Sequence, residues 1–123
     1  MAIKKKDDEV EKFISDWYWD EKSHEYARDL CLFLFEFIDD LKRQGLSEKT
    51  IRIHIDNCWV IGSFECQYGG RDKFSPEEVF CSEMANYEYV FEIKVSESKY
   101  AIKSYRTTWR KIYRYVKKMG LVD

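Results

Sequence analysis

The chain has 123 residues and a formal net charge of −2; 45% of its residues are hydrophobic and 36% are charged. This length and balance predict one domain over residues 1–123, with a packed core and a well-solvated surface. No uncharged apolar run approaches the ~18–20 residues of a membrane span, and the N-terminus lacks the apolar stretch of a signal peptide. We therefore expect a cytoplasmic protein that does not contact a membrane.

A first amphipathic helix is predicted near the N-terminus. Apolar side chains recur there at the spacing of one helical face, at Val10, Phe13, Ile14, Trp17 and Tyr18. We expect this helix over residues 8–20, within an N-terminal lead-in of residues 1–22. The rest of the chain, residues 23–123, is expected to form the main helical module.

The joint between the second and third helices gives the clearest local signal. Ser23 is a candidate cap for a second helix that runs from about residue 24 to Gln44. Gly45 can adopt the positive φ that ends this helix, and Ser47 can cap the start of the next. Two antiparallel helices are therefore expected on either side of the joint.

The segment after this joint permits two interpretations. One helical face would carry Ile51, Ile55, Cys58 and Ile61, and a nearly opposite face would carry Ile53, Val60 and Phe64. Residues 50–55 also alternate with the period of two that is typical of a strand. Since no other segment of the chain alternates as clearly and could pair with it as a second strand, we expect a helix.

Three further helices are predicted after a loop at residues 67–73. The first opens with Ser75-Pro76-Glu77-Glu78, the pattern of a full capping box with Pro at the first helical position. A second uses the apolar residues Met84, Tyr87, Val90 and Phe91. The third is the last helix, described next. The expected fold is therefore all-α, a compact bundle of five to six helices.

The last helix, capped by Ser96 or Ser98 and ending at Gly120, separates apolar from basic residues. Its apolar stripe comprises Ile102, Tyr105, Trp109, Ile112, Tyr113 and Val116. The opposite face carries six cations spaced three or four residues apart, which we call the basic ridge: Lys99, Lys103, Arg106, Arg110, Arg114 and Lys117. Lys111 lies beside it. Such a row along ~27 Å of helix matches the charge of a nucleic-acid backbone.

A second interpretation of the ridge is an ordinary solvated face. Residues 1–40 carry 12 acidic and 6 basic side chains, so this opening segment could also lie against the ridge and neutralise it. The chain is rich in aromatic residues, at 17%, and a surplus beyond the needs of the core would supply an interface with a partner protein.

Signals for catalysis are poor. The two histidines, His24 and His54, lie on different elements, and we expect His54 at the edge of the core. No nucleotide-binding, zinc-binding or hydrolase motif occurs. The four cysteines lack a C-x-x-C spacing and are expected to be reduced and structural: Cys31, Cys58, Cys66 and Cys81. We expect no enzyme, catalytic residue, metal, cofactor or small-molecule substrate.

Two motifs resemble one known family. The pattern Phe33-x-x-x-Phe37 through Gly45-Leu46-Ser47-x-x-Thr50-Ile51-Arg52 resembles the N-terminal core-binding (SAM-like) domain of tyrosine recombinases, or phage integrases. The segment Ser104-Tyr105-Arg106-x-x-Trp109-x-x-Ile112-Tyr113 is similar to the final helix of that domain. The resemblance covers roughly residues 24–123, with His54 in place of the family's usual Tyr and Cys58 in place of its Leu.

The resemblance implies a stand-alone core-binding module without the catalytic domain, which in the family carries an Arg, a His-x-x-Arg motif and a nucleophilic Tyr. This chain alone is therefore expected not to cleave DNA strands. In the family the module grips DNA with polar helix faces, which here adds residues on the third helix. The predicted nucleic-acid-binding residues are Lys49, Arg52, Lys99, Lys103, Arg106, Arg110, Lys111, Arg114 and Lys117.

Two functions follow as predictions. The leading one is a non-catalytic, integrase-like core-binding module that contacts the backbone of DNA or RNA through its basic C-terminal helix. The alternative is a protein-interaction or regulatory domain, homodimeric or bound to another protein, that does not bind nucleic acid.

Overall fold

The computed structural model describes residues 2–17 and 21–121, with the backbone alone at residues 2–8 and 21–24. In these ranges it contains six helices and no strand, which confirms the predicted all-α class. The helices are α1 Ala2–Trp17, α2 Glu21–Arg43, α3 Glu48–Tyr68, α4 Pro76–Val79, α5 Glu88–Lys94 and α6 Lys99–Lys118. They form two compact units, one up to Phe74 and one from Ser75 onward.

In the first unit, α1, α2 and α3 pack against one another. Helix α1 begins at Ala2, earlier than predicted, and its apolar face is buried as expected at Val10, Phe13, Ile14 and Trp17. Tyr18, the last member of the predicted face, lies outside the described residues. Because α1 packs on both neighbouring helices, it is an integral part of this unit and not only a lead-in.

Gly62 allows α1 and α3 to approach closely. A Cβ atom at this position would lie 2.2 Å from two ring atoms of Trp17, so only a glycine leaves room for the indole. The Trp17 Nε1–H group donates a hydrogen bond to the carbonyl oxygen of Trp59 at 3.2 Å. The ring of Trp17 is therefore fixed by packing and by a hydrogen bond.

The joint between α2 and α3 forms as predicted. Gly45 has a φ of +82°, and its N–H donates to the carbonyl of Lys42 at 3.0 Å. The Ser47 hydroxyl accepts from the N–H of Thr50 at 3.2 Å, which caps α3. The predicted cap at Ser23 is wrong, because the backbone is already helical from Glu21.

The helical interpretation of residues 50–55 is confirmed, since they lie inside α3. Ile51 and Ile55 are buried and Ile53 is half-buried, because α3 has apolar neighbours on more than one side. A helix covered in this way places apolar residues at alternating positions and so imitates the period of a strand. His54 is only 4% exposed and lies inside the core, not at its edge.

A buried carboxylate and its two partners hold the chain that follows α3. The Glu65 carboxylate has no exposed side-chain surface; it accepts a hydrogen bond from the Tyr26 hydroxyl at 3.3 Å and forms an ion pair with Arg71. Arg71 compensates the buried charge, which would otherwise be costly. The Phe74 ring packs edge-on against Tyr26, with ring centroids 5.8 Å apart. These contacts attach residues 71–74 to α2 and α3.

The second unit departs from the predictions before α5. Pro76 occupies the start of α4 as expected, but the Ser75 side chain makes no capping hydrogen bond, so the predicted full capping box is wrong. Helix α5 begins only at Glu88, because Tyr87 adopts a φ of +67° that a helix cannot contain. Met84 therefore lies outside the helix and is 79% exposed, contrary to its predicted place on an apolar face.

Cys31 and Cys58 are buried, as expected for structural thiols, and all four cysteines are free thiols. Cys66 is partly exposed. Cys81 is exposed and does not contribute to a core, so its predicted structural role is wrong.

Candidate nucleic-acid interface

Helix α6 is defined at both ends by local hydrogen bonds. Of the two predicted caps, Ser98 is the one used, and its hydroxyl accepts from the N–H of Ala101 at 3.3 Å. At the other end Gly120 has a φ of +76°. Its N–H donates a hydrogen bond to the carbonyl oxygen of Lys117 at 3.0 Å, and the N–H of Leu121 donates to the carbonyl oxygen of Val116 at 3.1 Å. These two bonds form a Schellman motif, so the sequence itself sets the length of the helix.

The apolar stripe of α6 fixes the rotation of the helix about its axis. Tyr105 stacks against Phe91 of α5 with ring centroids 4.7 Å apart, and its hydroxyl donates to the carbonyl of Asn86 at 2.5 Å. Trp109 packs against Phe80, at a centroid distance of 5.1 Å. Rotation would break these contacts, so the opposite face of α6 stays in solvent.

One member of the predicted stripe is misplaced. Tyr113 is half-buried, whereas Tyr115, which was not predicted, is 7% exposed and belongs to the core. The buried arc of α6 is thus displaced toward Tyr115 and the neighbouring Thr108, which is fully buried. The displacement leaves the basic ridge on the exposed side.

The basic ridge is accessible along its whole length. All six of its cations are exposed, and they follow one another about 4.5–6 Å apart along the axis. Lys111, also predicted to bind nucleic acid, is half-buried at the flank of the ridge. Seven of the nine predicted binding residues therefore lie together on one helix.

Among the side chains that the structure describes, one ion pair involves the basic ridge, and Arg106 forms it. Its Nε and Nη2 atoms donate to the two carboxylate oxygens of Glu88, with an Nη2–Oε2 distance of 3.1 Å. The hydrogen bonds that Arg106 donates to Glu88, and then the charge of Glu88, raise the pKa of Arg106 above its ordinary value. Because the pair lies in solvent, a phosphate can compete with Glu88 for the same guanidinium.

Two open grooves lie on either side of Arg106 and Arg110, because both arginines line both of them. One groove, of about 550 Å³, is otherwise lined by Glu92, Lys99, Ile102, Lys103 and Thr107. The other, of about 320 Å³, is otherwise lined by Glu83, Met84, Ala85 and Glu88. Basic side chains dominate the first groove, whereas acidic and apolar side chains surround the arginines in the second.

The other two predicted binding residues lie on α3, in the first unit. Lys49 is exposed in the first turn of the helix. Arg52 is paired through Nη1 with Glu9 at 3.1 Å and through Nη2 with Asp56 at 3.1 Å. Glu9 belongs to the acidic opening segment. The charge of Arg52, on α3, is therefore neutralised by the segment that the sequence also offered as a partner for the basic ridge.

Two residues beside the ridge were missed in the sequence. Tyr100 is 76% exposed and lies next to Lys99; its position on a helical wheel, away from the apolar stripe, was a usable signal. Glu88 had no such signal, because it is eighteen residues from Arg106 and on another helix.

Over the described part of the chain, no helix has the length and apolar composition of a membrane-spanning segment. The same residues contain no group of three His, Cys, Asp or Glu side chains that could hold a metal ion. Comparisons with protein-family models, curated proteins and solved structures return no match for this chain.

Proposed function

We propose that this chain is a non-catalytic, cytoplasmic module that binds the backbone of DNA or RNA through the basic ridge of α6. The proposal depends on one observation: six exposed cations in line, of which only Arg106 has a carboxylate partner among the described side chains. A row of like charges on a rigid helix, in which only Arg106 is paired with a described carboxylate, is the arrangement that favours release of counterions from a phosphate backbone.

The distribution of charge supports this location for the binding face. The first unit contains 12 basic and 16 acidic residues, and the second contains 9 and 7. The net charge of −2 therefore conceals a second unit with net charge +2, whose cations lie mostly on one helix. Such a protein would approach nucleic acid with α6 and be repelled elsewhere.

The resemblance to recombinase core-binding domains makes DNA the first ligand to test. It also suggests Lys49 and Arg52 as contacts, but Arg52 would first have to release Glu9 and Asp56. We therefore assign the main role to α6 and a secondary one to Lys49. No strand cleavage is proposed.

The test is a titration of labelled single-stranded and duplex DNA with the wild type and with Arg106→Glu/Arg110→Glu. For six phosphate contacts we expect the affinity for duplex to fall about a thousand-fold between about 50 and 200 mM salt. The double reversal replaces two attractive charges at the centre of the ridge with two repulsive ones. It should abolish measurable binding.

A matched control is Lys12→Glu/Lys73→Glu, which changes the net charge equally at two exposed positions of the first unit. It should bind nearly as the wild type does. An absence of binding at tens of micromolar protein would contradict the proposal, and so would an equal loss in both double variants.

A second candidate function is protein interaction, including self-association. Tyr89 and Ile93 are 74% and 64% exposed and lie four residues apart, on the same face of α5. Exposed aromatic and aliphatic side chains that adjoin in this way are typical of an interface. Sedimentation of the wild type and of Tyr89→Ser/Ile93→Ser at rising concentration tests it. A sedimentation coefficient that does not change with concentration would contradict self-association.

A further inference from the structure

Tyr100 is the one aromatic residue of α6 that the core does not use. Tyr105, Trp109 and Tyr115 are each less than 8% exposed, and Tyr113 is half-buried, whereas Tyr100 is 76% exposed. Its ring makes no contact with another described aromatic ring. Packing therefore gives no reason for an aromatic residue at this position.

The position of Tyr100 relates it to the basic ridge. Residues three, four and seven apart lie on the same side of a helix, so Lys103 and Thr107 share its side of α6. Both of those residues line the larger groove beside Arg106 and Arg110. Tyr100 thus lies on the same side of α6 as two residues that line the groove. The cationic side chains of this groove are Lys99, Lys103, Arg106 and Arg110.

We propose that the basic ridge binds single-stranded nucleic acid in preference to duplex, with Tyr100 as a stacking platform for a base. This inference rests on the nucleic-acid binding proposed above. Proteins that hold single strands combine a cationic groove for the backbone with aromatic faces on which bases stack. In a duplex the bases are already stacked and paired, so the ring of Tyr100 would find no partner there.

The ridge itself is compatible with a strand in extended form. Its cations follow one line about 4.5–6 Å apart along the helix axis, so they present a continuous row of positive charge to the backbone of a strand. An acidic peptide would satisfy the cations but would leave the ring face of Tyr100 without a partner. The combination of charge and exposed ring therefore favours a nucleic acid over an acidic protein.

The experiment measures fluorescence anisotropy of labelled oligo-dT and of a mixed-sequence duplex of the same length, with the full chain. The variants are Tyr100→Leu, which keeps an apolar side chain but removes the π face, and Tyr100→Trp, which keeps the π face. Tyr68→Leu is the matched control, because Tyr68 is also an exposed tyrosine but lies on α3, in the first unit. Unlabelled poly-glutamate serves as the acidic-peptide competitor.

We expect oligo-dT to bind more tightly than the duplex, and Tyr100→Leu to weaken oligo-dT about five-fold or more while the duplex is unaffected. Tyr100→Trp should keep the affinity for oligo-dT, and Tyr68→Leu should not change it. Circular dichroism of each variant confirms that the helices are intact.

Three results would overturn the inference. If the duplex binds as tightly as oligo-dT and Tyr100→Leu has no effect, the stacking role is wrong while the backbone binding of the proposed function stands. Competition by poly-glutamate as effective as that by oligo-dT would assign the ridge to an acidic protein. If neither nucleic acid binds, the proposed function fails, and this inference fails with it.

Discussion

At the scale of single residues, the charge available on the basic ridge depends on one carboxylate. Glu88 occupies the guanidinium of Arg106 with both of its oxygens, in the same two-pronged geometry that a phosphate would use. Ion pairs exposed to solvent contribute little to stability, because water and salt screen them. Under the proposed function, Glu88 therefore acts as a competitor of the phosphate ligand and contributes little to the stability of the fold.

The variant Glu88→Gln should bind nucleic acid about two- to five-fold more tightly, because Arg106 no longer exchanges a carboxylate for a phosphate. The slope of log affinity against log salt should stay close to that of the wild type, because Arg106 reaches a phosphate in both proteins. Anisotropy titrations at several salt concentrations measure both quantities.

The control for this variant is Glu36→Gln, which removes the same charge from an exposed position of α2. It should change the affinity less than Glu88→Gln does. Unchanged binding by Glu88→Gln would mean that Arg106 takes no part in the interface.

At the scale of the helices, the first unit depends on the close approach of α1 and α3 at Gly62. A glycine inside a helix normally destabilises it by about 1 kcal/mol relative to alanine. Here the missing side chain provides the space for the ring of Trp17, which is 2% exposed and hydrogen-bonded to the backbone of α3. The packing gain is therefore expected to outweigh the loss of helix propensity.

We predict that Gly62→Ala destabilises the protein by about 1–3 kcal/mol in spite of the better helix propensity of alanine, because the new Cβ overlaps the Trp17 indole. Urea unfolding followed by circular dichroism measures the change. In the double variant Gly62→Ala/Trp17→Leu, the smaller side chain should accept the Cβ, so the two effects should not add. A stabilising Gly62→Ala would contradict this account of the helix contact.

At the scale of the whole molecule, burial raises the pKa of three thiols and one tyrosine hydroxyl in the first unit. Burial, followed by the charge of Cys66, raises the pKa of Cys31 from 9.0 to about 12. Burial likewise raises the pKa of Cys66 to about 12, with Glu65 as the second cause. The pKa values of Cys58 and Tyr26 are raised as well, first of all by burial. These groups stay neutral in the folded protein at pH values where the unfolded chain ionises.

We predict that stability falls at alkaline pH. The folded pKa values lie above the unfolded ones, so this contribution is complete below about pH 9 and is lost as the pH rises toward about 12. For Cys31 and Cys58 the slope should be at most about 1.4 kcal/mol per pH unit for each thiol. Urea midpoints under reducing conditions on both sides of pH 9 provide the measurement.

The double variant Cys31→Ala/Cys58→Ala isolates the two thiols from the lysines and tyrosines that titrate in the same range. It should be less stable at neutral pH, because it leaves cavities, but its stability should decline less steeply above pH 9. Parallel declines in the variant and the wild type would contradict the assignment.

The sequence by itself determined the all-α class, the joint at Gly45 and Ser47, the C-terminal end of α6 and the row of cations opposite its apolar stripe. These features are local, because a cap, a positive φ or a helical stripe depends on residues only a few positions apart. Two predictions failed because a local sequence pattern was present but the backbone or the side chain did not adopt the matching geometry. Ser75 matched a capping pattern without forming the bond, and Met84 matched a helical period that Tyr87 interrupts.

Only the tertiary structure decided which polar groups meet. It buried Glu65 between Tyr26 and Arg71, paired Arg52 with Glu9, and placed Glu88 on Arg106. It also explains the glycine at position 62, which leaves space for the ring of Trp17. No residue near Gly62 in the chain indicates that contact. Each of these contacts joins residues that lie on different elements. Their geometry is set by how helices pack, which one-dimensional periodicity does not encode.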